Sequence, residues 1–490
     1  MNLASYSFIL IFLPIVIIGW YFFNSKGLTL AAKLLLLAAS VYFYASMGIN
    51  SLIALTISIV ICYLIGTFAF SEKLPPIVRR LFLLLGIIIN IASLLYCKYL
   101  LYFETLINKH FGTDFNFTAI VIPVGISYYT FSQIAYLVDS YKDPSVKYSF
   151  LDYSLFVTFF PKITVGPIAL SSEMIPQFND PLRKKVNYEN LSKGLYGFIF
   201  GLAKKLLIAD SLSPFVDLGY LNAANMGTTN AFLVIISYTM QIYFDFSGYC
   251  DMAVGICRML NFDLPDNFDA PYKALSIAEF WKRWHITLTR FLRNYVYIPL
   301  GGNRKGKVRT YFNNFIIFFL SGLWHGASTT FVVWGIIHGI GSIISKMLSS
   351  FTVKLPKCIR WFATFAFVNL AWVYFRAPDI ATANEMIKQL FTGGIIPVNI
   401  TMVASTIPPE GDLLQWIALK INPSITYYTG SFILIFIMAF ATFAATCMKT
   451  TAQRVKEFTP TRPKLTAAVL LFVWSILSLS EVAQFIYVNF

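Results

Sequence analysis

The chain is expected to be an all-α polytopic integral membrane protein, and three observations predict this. Of its 490 residues, 57% are hydrophobic and only 12% are charged, about half the charge of a soluble domain. Uncharged stretches recur from end to end: Leu3 to Asn24, Leu34 to Ser71, Leu81 to Cys97, Phe115 to Val138, Leu218 to Phe244, Thr310 to Ser345, Trp361 to Phe375, Ile421 to Met448 and Leu465 to Ser480. A spanning helix takes about 20 apolar residues, so the long runs hold two passes each and the short ones tilt or snorkel. The third observation is what the chain lacks, namely any fixed-period repeat, low-complexity tract or long soluble stretch. Together these predict roughly ten to twelve transmembrane helices in a single membrane domain, residues 1–490.

The first element, Leu3 to Asn24, has no Lys or Arg ahead of it. The basic region of a cleavable signal peptide is therefore missing, and the helix is expected to be retained. Six cysteines (Cys62, Cys97, Cys250, Cys257, Cys358, Cys447) lie mostly in apolar stretches without a CxxC spacing. They read as packing residues rather than disulfides or metal ligands. Cys250 and Cys257 are seven apart and can share a helix face.

Charge is concentrated. The net formal charge is +15, and Phe280 to Arg309 carries Lys282, Arg283, Arg290, Arg293, Arg304, Lys305, Lys307 and Arg309 with no acidic residue. Arg183-Lys184-Lys185 and Lys204-Lys205 are further basic clusters. The positive-inside rule places such loops in the cytoplasm, where they meet anionic lipid headgroups. The same cations could also meet an anionic substrate such as a nucleotide phosphate. Nucleic-acid binding is not expected, because no long soluble basic domain presents a surface for it.

Three interruptions break the apolar pattern. Phe159 to Pro167 contains two prolines, a glycine and Lys162, so it reads as re-entrant or cavity-lining backbone rather than a lipid-crossing helix. Asn261 to Pro271 is an acidic loop with two prolines. Ser276 to Pro299 opens with Ser276 and Glu279, a capping-box spacing. A helix from there puts Trp281, Trp284, His285 and Leu288 on one face, which predicts an amphipathic interfacial helix with His285 turned inward. The turn Leu300 to Arg304 resembles no phosphate-binding loop.

Only His110, His285, His325 and His338 are available for imidazole chemistry. His110 follows Asn108-Lys109 and reads as a solvated loop residue, and His338 reads as lying near the opposite end of a helix from His325. No HExxH, Walker A, GxSxG or kinase pattern is present, so no metal site is expected. His325 stands out because the run Thr310 to Ser345 holds no Asp, Glu, Lys or Arg. An ionisable ring at membrane depth usually faces a protein interior or aqueous cavity and carries function. The alternative is a neutral imidazole that only bonds neighbouring helices. Gly322, Gly326 and Ala327 leave room for a second backbone or a substrate beside it. The chemistry that remains is a histidine acting as general base on a hydroxyl that attacks an activated acyl group.

Five stretches carry a family resemblance: Ile122 to Phe131 (IPVGISYYTF), Phe159 to Pro167 (FFPKITVGP), Gln241 to Tyr249 (QIYFDFSGY), Phe280 to Leu288 (FWKRWHITL) running to Tyr297–Asn303 (YIPLGGN), and Gly322 to Ala327 (GLWHGA). In this order the chain resembles the membrane-bound O-acyltransferase (MBOAT) family, in the bacterial branch that acetylates alginate and peptidoglycan, with the D-alanyl transferases more distant. Residues 122–339 form the core of the match. The resemblance implies transmembrane, re-entrant and interfacial helices around a central funnel. It also implies transfer of an acyl group, most often acetyl, from a cytoplasmic thioester such as acetyl-CoA, with no tightly bound cofactor. His325 matches the family's funnel histidine and His285 the second histidine of the upstream motif. The acyl group would cross the bacterial inner membrane to an extracytoplasmic SGNH-type partner that esterifies a surface polysaccharide. The tail 485–490 (Phe485-Ile486-Tyr487-Val488-Asn489-Phe490) is similar to the Phe-Ile-Tyr tail of this branch, with Val488-Asn489 departing from it. Tyr487 is thus a candidate acyl relay, against the alternative of an interfacial aromatic anchor. Lys282, Arg283 and Arg304 are candidate donor-phosphate contacts. Competing readings are a transporter in which His325 relays protons, or a scaffold in a polysaccharide export complex.

Overall fold

A computed structural model describes residues 1–116, 122–145, 147–399, 402–403, 416, 419–420 and 423–481. Among these residues the protein is all-α, and its only β-pairing is an isolated bridge between Phe268 and Trp284. The chain divides into two compact units, residues 1–198 with 252–266 and residues 199–251 with 267–490.

The first unit holds α1 (Leu13–Ser25), α2 (Thr29–Ala45), α3 (Ile49–Ala69), α4 (Pro76–Phe111), α5 (Ile126–Lys142), α6 (Phe150–Thr158), α7 (Ser171–Asn179) and most of α8 (Tyr188–Ala203). The run Leu34 to Ser71 does contain two helices, α2 and α3, divided at Gly48 (φ 149°), a backbone angle that glycine adopts without a Cβ penalty. His110 sits on the last turn of α4, not in a loop, and it is exposed as expected. Lipid gives helices little hydrophobic reason to associate, so packing and internal hydrogen bonds must hold them. Phe8, Phe12, Phe43 and Phe160 accordingly interlock, with Phe12 and Phe160 edge-on at 5.3 Å. Tyr44 donates to the Val124 carbonyl at 2.6 Å, and Ser58 donates to Gln133 Oε1 at 2.8 Å.

Phe159 to Pro167 is non-helical, as its prolines require. Helix α6 stops at Thr158, and the segment folds into successive turns that are buried throughout. Ser40 Oγ accepts from the Phe160 amide at 3.2 Å, which satisfies a backbone donor that no helix serves.

The second unit holds α9 (Ser211–Leu221), most of α10 (Gly227–Met259), α11 (Ile277–Arg283), α12 (Ile286–Leu292), α13 (Gly306–His325), α14 (Thr329–Met347), α15 (Ser349–Thr352), α16 (Lys357–Arg376), α17 (Ile380–Thr392), α18 (Pro423–Thr446), α19 (Thr451–Lys456) and α20 (Arg462–Leu477). The uncharged run Thr310 to Ser345 is two helices, α13 and α14. Where they cross, Gly322 and Gly335 face each other. A Cβ on Gly335 would lie 2.6 Å from the Phe318 carbonyl oxygen and 3.2 Å from the Gly322 Cα. Only glycine permits that approach, so the small residues around His325 accommodate a second backbone.

Five described helical segments are long and apolar enough to cross a membrane: Phe8–Ser25, α3, α4, α14 and α16. Thr29–Ala45 and Gly430–Thr446 are apolar but shorter. Other long helices, α10 above all, are rich in buried polar side chains such as Asn230, Gln241 and Asp245. Their composition therefore understates their place in the interior.

One reading of charge is corrected. Lys204 and Lys205 do not form a solvated basic cluster. A π-helical turn, Lys204–Asp210, directs Lys205 into the interior, where it bonds Asp245 and Asp210 at 2.7 Å each, while Lys204 bonds Asp251 at 2.6 Å. A buried ammonium requires such acids. Arg183 is likewise engaged, with Asp263 at 2.8 Å.

Candidate active site

The site lies within the second unit and is built around two buried histidines. His325 is the last residue of α13, and the chain then breaks at Gly326 before Ser328 caps α14 by accepting from the Thr330 amide at 3.3 Å. At 3% exposure, His325 is held among aromatic edges. Trp324 lies at 4.9 Å between ring centres, Phe375 of α16 at 4.9 Å, and Trp334 of α14 at 5.2 Å and perpendicular.

His285 is positioned by a different means. The amphipathic helix expected from Ser276 onward does start there, because Ser276 Oγ accepts from the Glu279 amide at 3.1 Å. Glu279 in turn accepts from the Leu275 amide at 2.9 Å. That helix does not continue through His285. It ends at Arg283, and His285 takes up left-handed backbone angles (φ 45°, ψ 53°) before α12 begins at Ile286. Such a conformation is strained for a residue with a Cβ. His285 therefore lies at a break and not on a continuous helical face, although it is turned inward as expected, at 0% exposure.

What stabilises the break is Asn267, a residue of the acidic loop that no motif singles out. Its backbone carbonyl accepts from the Ile286 amide at 3.0 Å, and its Oδ1 accepts from the Thr287 amide at 3.1 Å and hydroxyl at 2.9 Å. The same Oδ1 lies 3.2 Å from His285 Nδ1. An amide oxygen only accepts, so Nδ1 carries the proton and Nε2 is the basic nitrogen. Burial pushes the His285 pKa well down, which keeps the ring neutral. Phe246 of the Gln241–Tyr249 motif packs edge-on against it at 4.8 Å, and Trp324 at 6.0 Å. Trp324 thus touches both histidines.

His338 is a third member that sequence reasoning set aside. It is mid-helix in α14 rather than near an end, and it is fully buried. Trp281 Nε1 donates to its Nδ1 at 3.2 Å, so its proton is on Nε2. Trp334 lies edge-on to both His338, at 4.8 Å, and His325, at 5.2 Å. The spacing of Trp334 and His338, one helical turn apart, was the available signal.

The candidate donor contacts differ among themselves. Lys282 and Arg304 are exposed, with no ion pair among the described residues. Arg283 is engaged, with Glu279 at 2.9 Å and Asp269 at 3.6 Å, so it is less available to a phosphate. Tyr487 lies outside the described residues. No cluster of His, Cys, Asp or Glu suited to a metal ion occurs among the described residues.

The arrangement therefore offers buried imidazoles in a water-poor aromatic enclosure, with oriented rings. Comparison with known sequences decides what kind of enzyme this is. The sequence profile of the membrane-bound O-acyltransferase family matches residues 42–380. The chain belongs to the membrane-bound O-acyltransferase family. It is an acyltransferase built into a membrane, and the five motifs and both principal histidines fall inside the matched span. A peptidoglycan O-acetyltransferase of Helicobacter pylori is 37% identical over 99% of this chain and 96% of its own length. A protein of Pseudomonas aeruginosa named probable alginate O-acetylase AlgI is 36% identical over 80% of this chain and 75% of its own. More distantly, a teichoic acid D-alanyltransferase of Bacillus subtilis is 26% identical over 44% of this chain and 57% of its own.

Proposed function

We propose that this membrane-bound O-acyltransferase is an O-acetyltransferase of the bacterial inner membrane that serves a cell-surface polysaccharide, with peptidoglycan the favoured acceptor over alginate. The observation that carries the acceptor is the 37% identity to the Helicobacter pylori peptidoglycan O-acetyltransferase across 99% of this chain. The alginate-type relative leaves a fifth of this chain unmatched.

The donor is a cytoplasmic acetyl thioester such as acetyl-CoA, its phosphates met by Lys282 and Arg304 and less by Arg283, which has acids of its own. An acceptor hydroxyl attacks the thioester carbonyl, forming the C–O bond of the ester and breaking the C–S bond. His325 takes the hydroxyl proton and returns it to the departing thiolate. His285, with Nε2 as its basic nitrogen, orients the acceptor by accepting from its hydroxyl. The acceptor is Tyr487 or a serine of an SGNH-type partner outside the membrane, so the acetyl group crosses the bilayer through this protein.

The test is His325→Ala in cells, reading acetyl ester on purified peptidoglycan and on exopolysaccharide at equal protein level. Loss of muropeptide ester is expected, and unchanged ester removes His325 from catalysis. Tyr487→Phe that blocks transfer while donor cleavage persists supports the relay, whereas full activity excludes it. A transporter or scaffold would cleave no thioester in detergent.

A further inference from the structure

His338 is a buried imidazole that the acyl-transfer chemistry leaves without a role. It lies mid-way along α14 with no exposed surface. Rings from three other helices enclose it: Trp281 of α11 at 5.0 Å between centres, Phe318 of α13 at 6.0 Å and Phe367 of α16 at 5.4 Å.

Trp281 is the contact that reaches the site. Its ring is seated against Phe318 at 5.3 Å and Trp334 at 5.6 Å, and its Nε1 donates to His338 Nδ1 at 3.2 Å. Ring packing sets the spacing between helices, whereas a hydrogen bond also sets direction and register. Thr289 of α12 donates to the Trp281 carbonyl at 3.2 Å. Both helices that flank the His285 break are therefore tied to Trp281. Trp334, one turn before His338 on α14, packs against His325 at 5.2 Å. The Trp281–His338 bond thus stands where the His285 segment meets the α13–α14 pair that carries His325.

Stability alone does not account for a histidine here. With Nδ1 accepting, the proton is on Nε2, which finds no hydrogen-bond partner among the described residues. A buried donor without an acceptor opposes folding. Leucine at 338 would remove that donor and orphan the Trp281 N–H instead, one unmet donor exchanged for another.

We propose that His338 is a positioning residue for acyl transfer, holding Trp281 so that the His285 break keeps a fixed register against His325. The role rests on the acyl-transfer reading above and is exerted through Trp281 rather than on the substrate.

The experiment is single-turnover cleavage of a labelled acetyl thioester by the purified full-length protein, with donor affinity and thermal midpoint measured alongside. Wild type, His338→Leu, His338→Asn and His325→Ala are compared. Leucine fills a similar volume without an acceptor, and asparagine restores one near the Nδ1 position. Expected for His338→Leu is a fall of about 10- to 100-fold in the chemical step, the scale of a misplaced reacting group, with affinity and midpoint close to wild type. His338→Asn should recover most of the rate. A wild-type rate in folded His338→Leu, or an equal fall in His338→Asn, overturns the proposal. So does a lowered midpoint with an unchanged rate per folded molecule, which makes His338 structural only. A wild-type rate in His325→Ala is a separate result and overturns the acyl-transfer reading together with this role. Should His338→Leu fail to fold, benzothienylalanine in place of Trp281, an isostere that lacks the N–H, decides. The same fall supports the role, and a wild-type rate overturns it.

Discussion

His285 and His325 are both buried histidines of the same unit, yet the protein fixes them by opposite means. His285 is held by hydrogen bonds and a left-handed backbone, with Asn267 setting its tautomer. His325 is held by ring edges from α13, α14 and α16. A hydrogen-bonded socket fixes which nitrogen is basic. The aromatic enclosure around His325 fixes its position and keeps bulk water away. The first suits the orienting role and the second the general-base role proposed for these two residues.

The comparison can be broken most severely at the aromatic side. Gly335→Leu puts a side chain into the Phe318 carbonyl where α13 and α14 cross. Size-exclusion profiles and expression should show loss of the folded protein, because overpacking there costs well above the roughly 1–3 kcal/mol of an ordinary core insertion. Normal folding would show that the crossing does not position His325.

On the hydrogen-bonded side, His285→Asn separates backbone from ring, since asparagine tolerates left-handed angles. The melting temperature should hold while transfer falls about tenfold or more, the scale of a misplaced reacting group. A collapse in stability with residual specific activity unchanged would make His285 purely structural. Asn267→Ala removes the acceptor from His285 Nδ1 and from Thr287, and each orphaned donor costs about 1–3 kcal/mol. Chemical denaturation of the purified protein measures the loss, and Asn267→Asp, which keeps the acceptor, should recover part of it.

The smallest effects belong to the exposed cations. Lys282→Ala and Arg304→Ala should each raise KM for the thioester by about two- to fivefold, as expected of solvent-screened charges. Added salt should erase the difference. Arg283→Gln should change KM less, because Glu279 and Asp269 already engage it. An equal or larger effect would place Arg283 at the donor.

The class and the burial of His285 and His325 were legible in the sequence because both rest on local signals. Uncharged runs dictate membrane helices, and the prolines around Lys162 dictate a break. An unaccompanied histidine among small residues marks a candidate position. The sequence did not disclose partners brought from afar. Asn267 lies 18 residues before His285, and its role appears only once the chain turns back on itself. The same distance effect misled the reading of Lys204-Lys205, two of whose acids, Asp245 and Asp251, lie on a different helix. Helical periodicity also failed at Trp284–His285, where a tertiary hydrogen bond overrides local propensity.

The central claim is that His325 moves the proton during acyl transfer. It is tested most directly by single-turnover cleavage of a labelled acetyl thioester by purified wild type and His325→Ala, with donor binding measured in parallel. The account predicts a fall of about 10²- to 10⁴-fold in the chemical step with donor affinity unchanged. A wild-type rate in the variant would contradict it.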